Sequence, residues 1–357
     1  MTTIAIGERL IGDDYPTYTI ADVGANHDGS LDRAKMLIRM AAESGADCAK
    51  FQTFSADKIV SDEGFKRLGR LSHQASWKKS VYDVYKDASM PREWIPELAA
   101  MCKECGIDFA STPYDREALD LLLPHMPFVK IGSGDITWLD FLGFVAERGK
   151  PVILSTGAST IGEVDAAMQV LSGCPMVLCQ CQTSYTGDDE ENLKHVNLRV
   201  LNTYRAMYPN ATLGLSDHTH SRATVAGAVA LGARVIEKHF TDDCTREGPD
   251  HRFALRPNEW RDMVTTIRQL ESALGSPRKS ITAVEKATVV MQRRGLYATR
   301  TLECGDRVDI DDIAVLRPGP TDFDAVPISK LNDIVGRQVS IRITEGEPII
   351  WGYLCPW

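Results

Sequence analysis

The chain predicts an α/β fold, a (β/α)8 barrel followed by a small C-terminal β-rich domain. Three observations predict it. Eight short apolar, β-branched runs alternate with amphipathic helical stretches. Polar and charged residues crowd the C-terminal ends of those runs. Beyond residue 290 the helical periodicity stops, and short strand-like runs with turn residues take over.

The eight runs are residues 17–25, 48–53, 108–113, 128–133, 151–157, 175–181, 212–218 and 234–240. Between them, the spacing of apolar residues predicts helices over 31–44, 91–105, 192–208 and 221–233. Eight such units fill a barrel of about 250 residues, which places the catalytic domain in residues 1–275. The connection from residue 54 to 91 is oversized, and its polar, aromatic stretch FKRLGRLSHQASWKKSVYDVYKD predicts a lid or substrate loop. A polar joint, residues 276–290, then leads to the β-rich domain at 291–357.

Composition narrows the function. At 43% hydrophobic, the 357 residues suffice for a large core. A net charge of −9 without a basic stripe argues against a nucleic-acid surface. No apolar run approaches the ~20 residues of a membrane span, and no signal-peptide pattern opens the chain. Nine cysteines, an odd number scattered through apparent strands and helices, suit reduced thiols in the cytoplasm.

Barrel enzymes gather their chemistry at the C-terminal strand ends. Here those ends carry Asp22, Lys50, Gln52, Thr112, Lys130, Ser133, Ser155, Ser216, His218, Glu237 and His239. Residues i and i+2 of a strand share a face, so Lys50 with Gln52, Ser216 with His218, and Glu237 with His239 are expected to face one cavity. His218 and His239 end neighbouring strands at ~4.8 Å spacing. Two imidazoles there can reach one divalent ion at ~2.1 Å each, beside Glu237 and Asp250, with water and substrate oxygens completing the shell. Lys50 and Lys130 at a barrel mouth want an anion. With the hydroxyls of Thr112, Ser133, Ser155 and Ser216 they outline a phosphate or carboxylate cradle.

Other motifs read as structure. Cys102 and Cys105 form a CxxC on an amphipathic helix without a second pair, and Cys179 and Cys181 read as core filler. His220, in an HxH with His218, reads as a loop or helix start. His27 stays open between loop structure and substrate contact.

The segments ADVGANHDGSLDRAK, GADCAKFQTF, STPYDREALD, KIGSGDIT, KPVILSTGAST, GLSDHT, ALGARVIEKHFTDD and GPDH follow in order. Together they resemble the bacterial sialic acid (N-acetylneuraminate) synthase family. The tail RRGLYATRTLECGDRVDIDDIAVLRPG is similar to that family's antifreeze-like (SAF) domain, so the resemblance spans essentially the whole chain. It implies a TIM barrel with an SAF domain, in a homodimer whose swapped SAF domains cap the partner's site. It also implies condensation of phosphoenolpyruvate with an open-chain acylamino-hexose, N-acetylmannosamine-like, giving a nine-carbon 2-keto-3-deoxy sugar acid and phosphate.

Carried over position by position, the resemblance implies phosphoenolpyruvate contacts from Lys50, Thr112, Lys130, Ser133, Ser155, Thr183 and Ser216. It implies Mn²⁺, with Mg²⁺ or Co²⁺ as substitutes, on His218 and His239. Gln52, Tyr185, Asp250 and Arg317 match sugar positions, with Glu237 and Asp22 placed to stabilise a cationic carbon or take a proton from water. Three departures stand on the acceptor side. Asp22 replaces the usual Glu. Thr183 replaces Asn or Ser, with Thr186 for Pro and the insertion GDDEEN after it. PGPTDFDAVP lacks the family's glycine-rich turn. The alternatives are the same condensation on a legionaminate, pseudaminate or deaminated sialate precursor or another aldose, and, more remotely, a non-catalytic sugar-binding protein.

Overall fold

Strand β3 (Tyr18–Gly24) is buried along its whole length, as a parallel strand covered on both faces must be. The computed structural model describes residues 3–69, 74, 77–187, 189–319 and 325–356. Two units arise by contact, residues 1–275 and 276–357.

In the first unit, β3 is followed by β4 (Cys48–Thr53), β5 (Asp108–Pro113), β6 (Val129–Ile131), β7 (Val152–Ser155), β8 (Met176–Cys181), β9 (Thr212–Asp217) and β10 (Ala233–His239). Their order is β5-β4-β3-β10-β9-β8-β7-β6, with every paired neighbour parallel. The last strand thus returns to the first, in the nearly closed α/β barrel that the sequence predicts; the one unpaired seam lies between β5 and β6. Helices cover the outside, and the main core lies between them and the sheet, from Leu37, Ile38 and Phe51 to Leu215, Ile236 and Trp260. A second core fills the opposite end of the barrel from the mouth, where Tyr18, Ile20, Phe128 and Val235 meet Ile4, Ile6 and Ile11.

Those three isoleucines belong to an N-terminal hairpin, β1 (Ile4–Ile6) and β2 (Arg9–Ile11), turning at Gly7 with φ +58°. The sequence reading does not contain it, because three-residue strands are too short to show a period. The helix expected over 192–208 is two helices, Asp189–Leu193 and Val200–Met207. Asn197, left-handed at φ +52°, breaks the run between them. The long connection after β4 holds helices Ala56–Ile59, Asp62–Leu68 and Val81–Ala88, the last two capped by the Ser61 and Ser80 hydroxyls. Residues 70–73, 75 and 76 of its expected lid stretch lie outside the described residues.

In the second unit a helix, Lys286–Gln292, precedes the antiparallel pair β11 (Gly295–Ala298) and β12 (Ile313–Leu316). Leu296, Val308, Val339, Ile343 and Ile349 make its own core. Among the described residues no helix is long and apolar enough to cross a membrane.

Candidate active site

Strand register builds the site. Asp22 of β3 stands opposite both Lys50 of β4 and His239 of β10, and Glu237 stands opposite Ser216. Lys50 Nζ donates to Asp22 Oδ2 at 2.7 Å and to Thr112 Oγ1 at 3.3 Å. Both charged groups are almost fully buried, where a lone charge would be prohibitive. Burial pulls the Lys50 ammonium down, but Asp22 and Glu237 outweigh it and hold the pKa above the ordinary lysine value. Lys130 Nζ donates to Ser155 Oγ at 2.8 Å and lies 3.6 Å from Glu237 Oε1, which also accepts from Ser216 Oγ at 3.1 Å. Burial pushes the Glu237 carboxyl up, yet Lys130, Lys50 and His239 prevail and leave it below the ordinary value. Its second oxygen, Oε2, is buried without a hydrogen-bond partner. The cluster is therefore two ammoniums against two carboxylates, lined with hydroxyls and holding spare acceptor capacity.

The two imidazoles sit beside it, ring centres 5.5 Å apart. His218 Nδ1 meets the Gln182 carbonyl at 2.9 Å, so this nitrogen donates and the lone pair is left on Nε2. His239 Nδ1 is buried without a partner, while its Nε2 lies 3.5 Å from Asp22 Oδ2. Among the described residues no three His, Cys, Asp or Glu side chains converge as a metal site. A cation here would have these two nitrogens plus water and substrate oxygens, and the orphaned nitrogen fits that donor set.

The remaining predicted residues flank this centre. Asp250 Oδ2 accepts from Ala25 N at 2.9 Å and lies 3.9 Å from His239 Nδ1. A methyl placed on Gly24, at φ +52°, would fall 2.5 Å from that oxygen, 3.3 Å from Gln52 Nε2 and 3.3 Å from the His239 ring. Gly24, Gln52, Asp250 and His239 thus share one small space. Tyr185 stacks edge-on to His218 at 4.6 Å. Ser133 Oγ accepts from Gly157 N at 2.9 Å, and a methyl on Gly157 would meet Thr183 Cγ2 at 2.3 Å. Arg317 is exposed in the second unit, its Nε donating to the Gln292 carbonyl at 2.7 Å.

The model of the NeuB family matches residues 37–279, and that of the SAF domain matches residues 293–353. The chain belongs to the NeuB family. This is the sialic acid synthase family that its motifs resemble. N,N'-diacetyllegionaminic acid synthase of Campylobacter jejuni is 34% identical over 93% of this chain and 98% of that one. Human N-acetylneuraminate-9-phosphate synthase is 32% identical over 96% and 94%. The crystal structure of spore coat polysaccharide biosynthesis protein SpsE from Bacillus subtilis, 31% identical, covers the whole of both chains with a TM-score of 0.64.

In this NeuB-family chain several site residues have no sequence signal as strand-end polar groups. Phe253 is buried edge-on to both imidazoles, 5.6 Å from His218 and 4.8 Å from His239. Cys179 is core, as expected, but Cys181 is not mere filler, since its Sγ lies 4.0 Å from His218 Nδ1. The pairing Cys181↔Ser216 carries that signal, because it puts Cys181 level with a residue already read as facing the mouth. On the outer face, Lys238 Nζ and Asp217 Oδ2 pair at 2.7 Å, almost fully buried, and pin β10 to β9 behind the site. His220 is tethered to Asp189 of the GDDEEN segment, its backbone N donating to Oδ1 at 2.9 Å. His27 Nδ1 accepts from Gly29 N at 3.1 Å, while its Nε2 is buried without a hydrogen-bond partner, so loop structure and substrate contact both stay open. Cys102 is buried on the helix Ile95–Glu104 and Cys105 caps it, so the CxxC is packing.

Proposed function

We propose that the chain condenses phosphoenolpyruvate with an open-chain N-acylamino-hexose, N-acetylmannosamine-like, to give a nine-carbon 2-keto-3-deoxy sugar acid and phosphate. The observation that carries this is the buried Asp22–Lys50 and Glu237–Lys130 cluster beside two converging imidazoles. It offers two cations to an anionic substrate and two carboxylates to a cationic carbon. Names of relatives support the class: they are synthases of legionaminic acid and of N-acetylneuraminate 9-phosphate.

In this reading Lys50 and Lys130, with Thr112, Ser133, Ser155, Thr183 and Ser216, bind the phosphate and carboxylate. His218 and His239 would hold a divalent ion, Mn²⁺ first and Mg²⁺ or Co²⁺ otherwise, which supplies Lewis-acid polarisation of an aldehyde oxygen when bound. Gln52, Tyr185 and Asp250 orient the sugar so that its C1 meets C3 of phosphoenolpyruvate. As the C–C bond forms, positive charge develops at C2, where Glu237 and Asp22 stabilise it and take a proton from the water that adds there. The tetrahedral carbon then loses phosphate by C–O cleavage. Nine unpaired thiols suit a cytoplasmic enzyme.

The test is to incubate the protein with phosphoenolpyruvate, Mn²⁺ and a panel of acylamino-hexoses, including a diacetamido and a 6-phosphorylated one. Phosphate release that needs an aldose, with a product of the summed carbon skeleton by mass, is expected; no release with any sugar would sink the reading. For Arg317 to reach a sugar we further propose the homodimer with exchanged SAF domains. Light scattering of the full chain should give twice the 39.4 kDa subunit mass; a monomer that is fully active would remove that role for Arg317.

A further inference from the structure

We infer that His251 is a positioning residue, which with Asp28 locks the turn at residues 248–253 so that Asp250 faces the acceptor sugar, setting acceptor binding separately from phosphoenolpyruvate binding. The inference rests on the synthase reading above and names a residue through which its acceptor half is held.

Adjacent residues of this turn serve opposite directions. Asp250 faces Ala25 N and His239, in the space shared with Gly24 and Gln52. His251 is fully buried, and both of its ring nitrogens are engaged. Nε2 lies 2.8 Å from Asp28 Oδ1 in the loop after β3, and Nδ1 lies 2.8 Å from Thr241 Oγ1 just beyond β10. One ring therefore ties the turn to the ends of the first and last barrel strands. Asp28 is in turn held from outside, its Oδ2 accepting from Arg246 Nε at 2.8 Å and lying 3.2 Å from Arg33 Nε. A methyl on Gly248 would fall 2.7 Å from the His251 ring, so the turn is built around that imidazole. Two residues further on, Phe253 packs its ring against both candidate metal-binding imidazoles.

The cradle for the anion hangs elsewhere. Among the described residues, the hydrogen bonds of Lys50, Lys130 and Ser155 go to Asp22, Thr112, the Ile131 carbonyl and one another, and none goes to this turn. Loosening the lock should therefore move Asp250 and leave the cradle intact. Outer partners that orient metal ligands change affinity or activity by about 10- to 100-fold when removed, and the same scale is expected for a residue that orients Asp250.

The experiment compares wild type, His251→Phe, His251→Gln and Asp28→Asn, with KM for the best acceptor of the panel and a calorimetric Kd for phosphoenolpyruvate measured without acceptor. His251→Phe keeps an aromatic ring, somewhat larger than imidazole, and removes both bonds. Its acceptor KM should rise about tenfold or more while the phosphoenolpyruvate Kd stays within about twofold. His251→Gln, whose amide still reaches Asp28, should regain most of the loss, and Asp28→Asn should fall between. If His251→Phe does not fold, Asp28→Asn, altered at a partly exposed carboxylate, decides on the same terms. Acceptor and phosphoenolpyruvate constants that move together, or an acceptor KM that does not move, overturn the inference with the synthase reading intact. A wild type that releases no phosphate with any aldose overturns both.

Discussion

The His239→Ala protein is expected to lose its divalent-ion affinity by more than about 100-fold, the scale already reached when an outer-shell partner of a metal ligand is removed. Phosphate release should fall at least as far. Among the described residues two nitrogens would be on offer to the proposed ion, so deleting one would halve the protein's donor set. The fold should survive, because His239 Nδ1 makes no hydrogen bond whose partner would be stranded. What is lost is the approach of Nε2 to Asp22 Oδ2 at 3.5 Å and packing against Phe253, 4.8 Å away, a cavity of the kind that costs about 2–5 kcal/mol. The free-Mn²⁺ resonance signal in a titration reads the affinity directly, and a thermal melt reads the fold. A variant that still takes up Mn²⁺ and turns over like wild type would remove the metal from the account. His218→Ala should behave alike, with the added loss of the bond to the Gln182 carbonyl.

The barrel was legible because its signal is local and repeated. Each strand is an apolar run a few residues long, and each ends on polar groups that have no place in a core. Alternation within a strand then assigns faces correctly: Glu237 and His239 reach the mouth, while Lys238 between them turns outward to Asp217. What stayed hidden depends on approach between distant segments. Ala25 and Asp250 meet across 225 positions, and Asp28 and His251 across 223. No spacing announces such a contact. Gly24 and Gly157 contribute by lacking a side chain, which a sequence does not display as chemistry. Cys181 was misjudged for another reason. Alternation gives the face of a residue but not its depth along the barrel, and depth follows from the register with Ser216. The N-terminal hairpin and the break at Asn197 were missed because three-residue strands and one left-handed residue carry too little periodic signal.

Glu237→Gln should separate binding from chemistry. The wild-type cluster balances Lys50 and Lys130 against Asp22 and Glu237. Removing one negative charge leaves the cradle more positive, so phosphoenolpyruvate should bind at least as tightly as before. Turnover should nevertheless drop by about 100- to 10,000-fold, the usual worth of a positioned proton acceptor. Without substrate the variant should also be less stable, by about 3–5 kcal/mol, since Lys130 is left buried with its charge partner gone. Phosphoenolpyruvate should recover part of that loss by supplying the missing anion. The pH dependence has a definite sign. Glu237 titrates below its ordinary value of 4.5 in the folded chain, so its stabilisation is complete above that value and is lost as the pH falls through the lower, folded one. Lys50 titrates above its ordinary 10.5, so its contribution is complete below that value and is lost as the pH rises through the higher, folded one. The gap in melting temperature between wild type and variant should therefore hold across neutral pH and narrow on the acid side. A variant with wild-type kcat, or one whose stability gap does not narrow in acid, would show that Glu237 is not the ionised carboxylate at the reacting carbon.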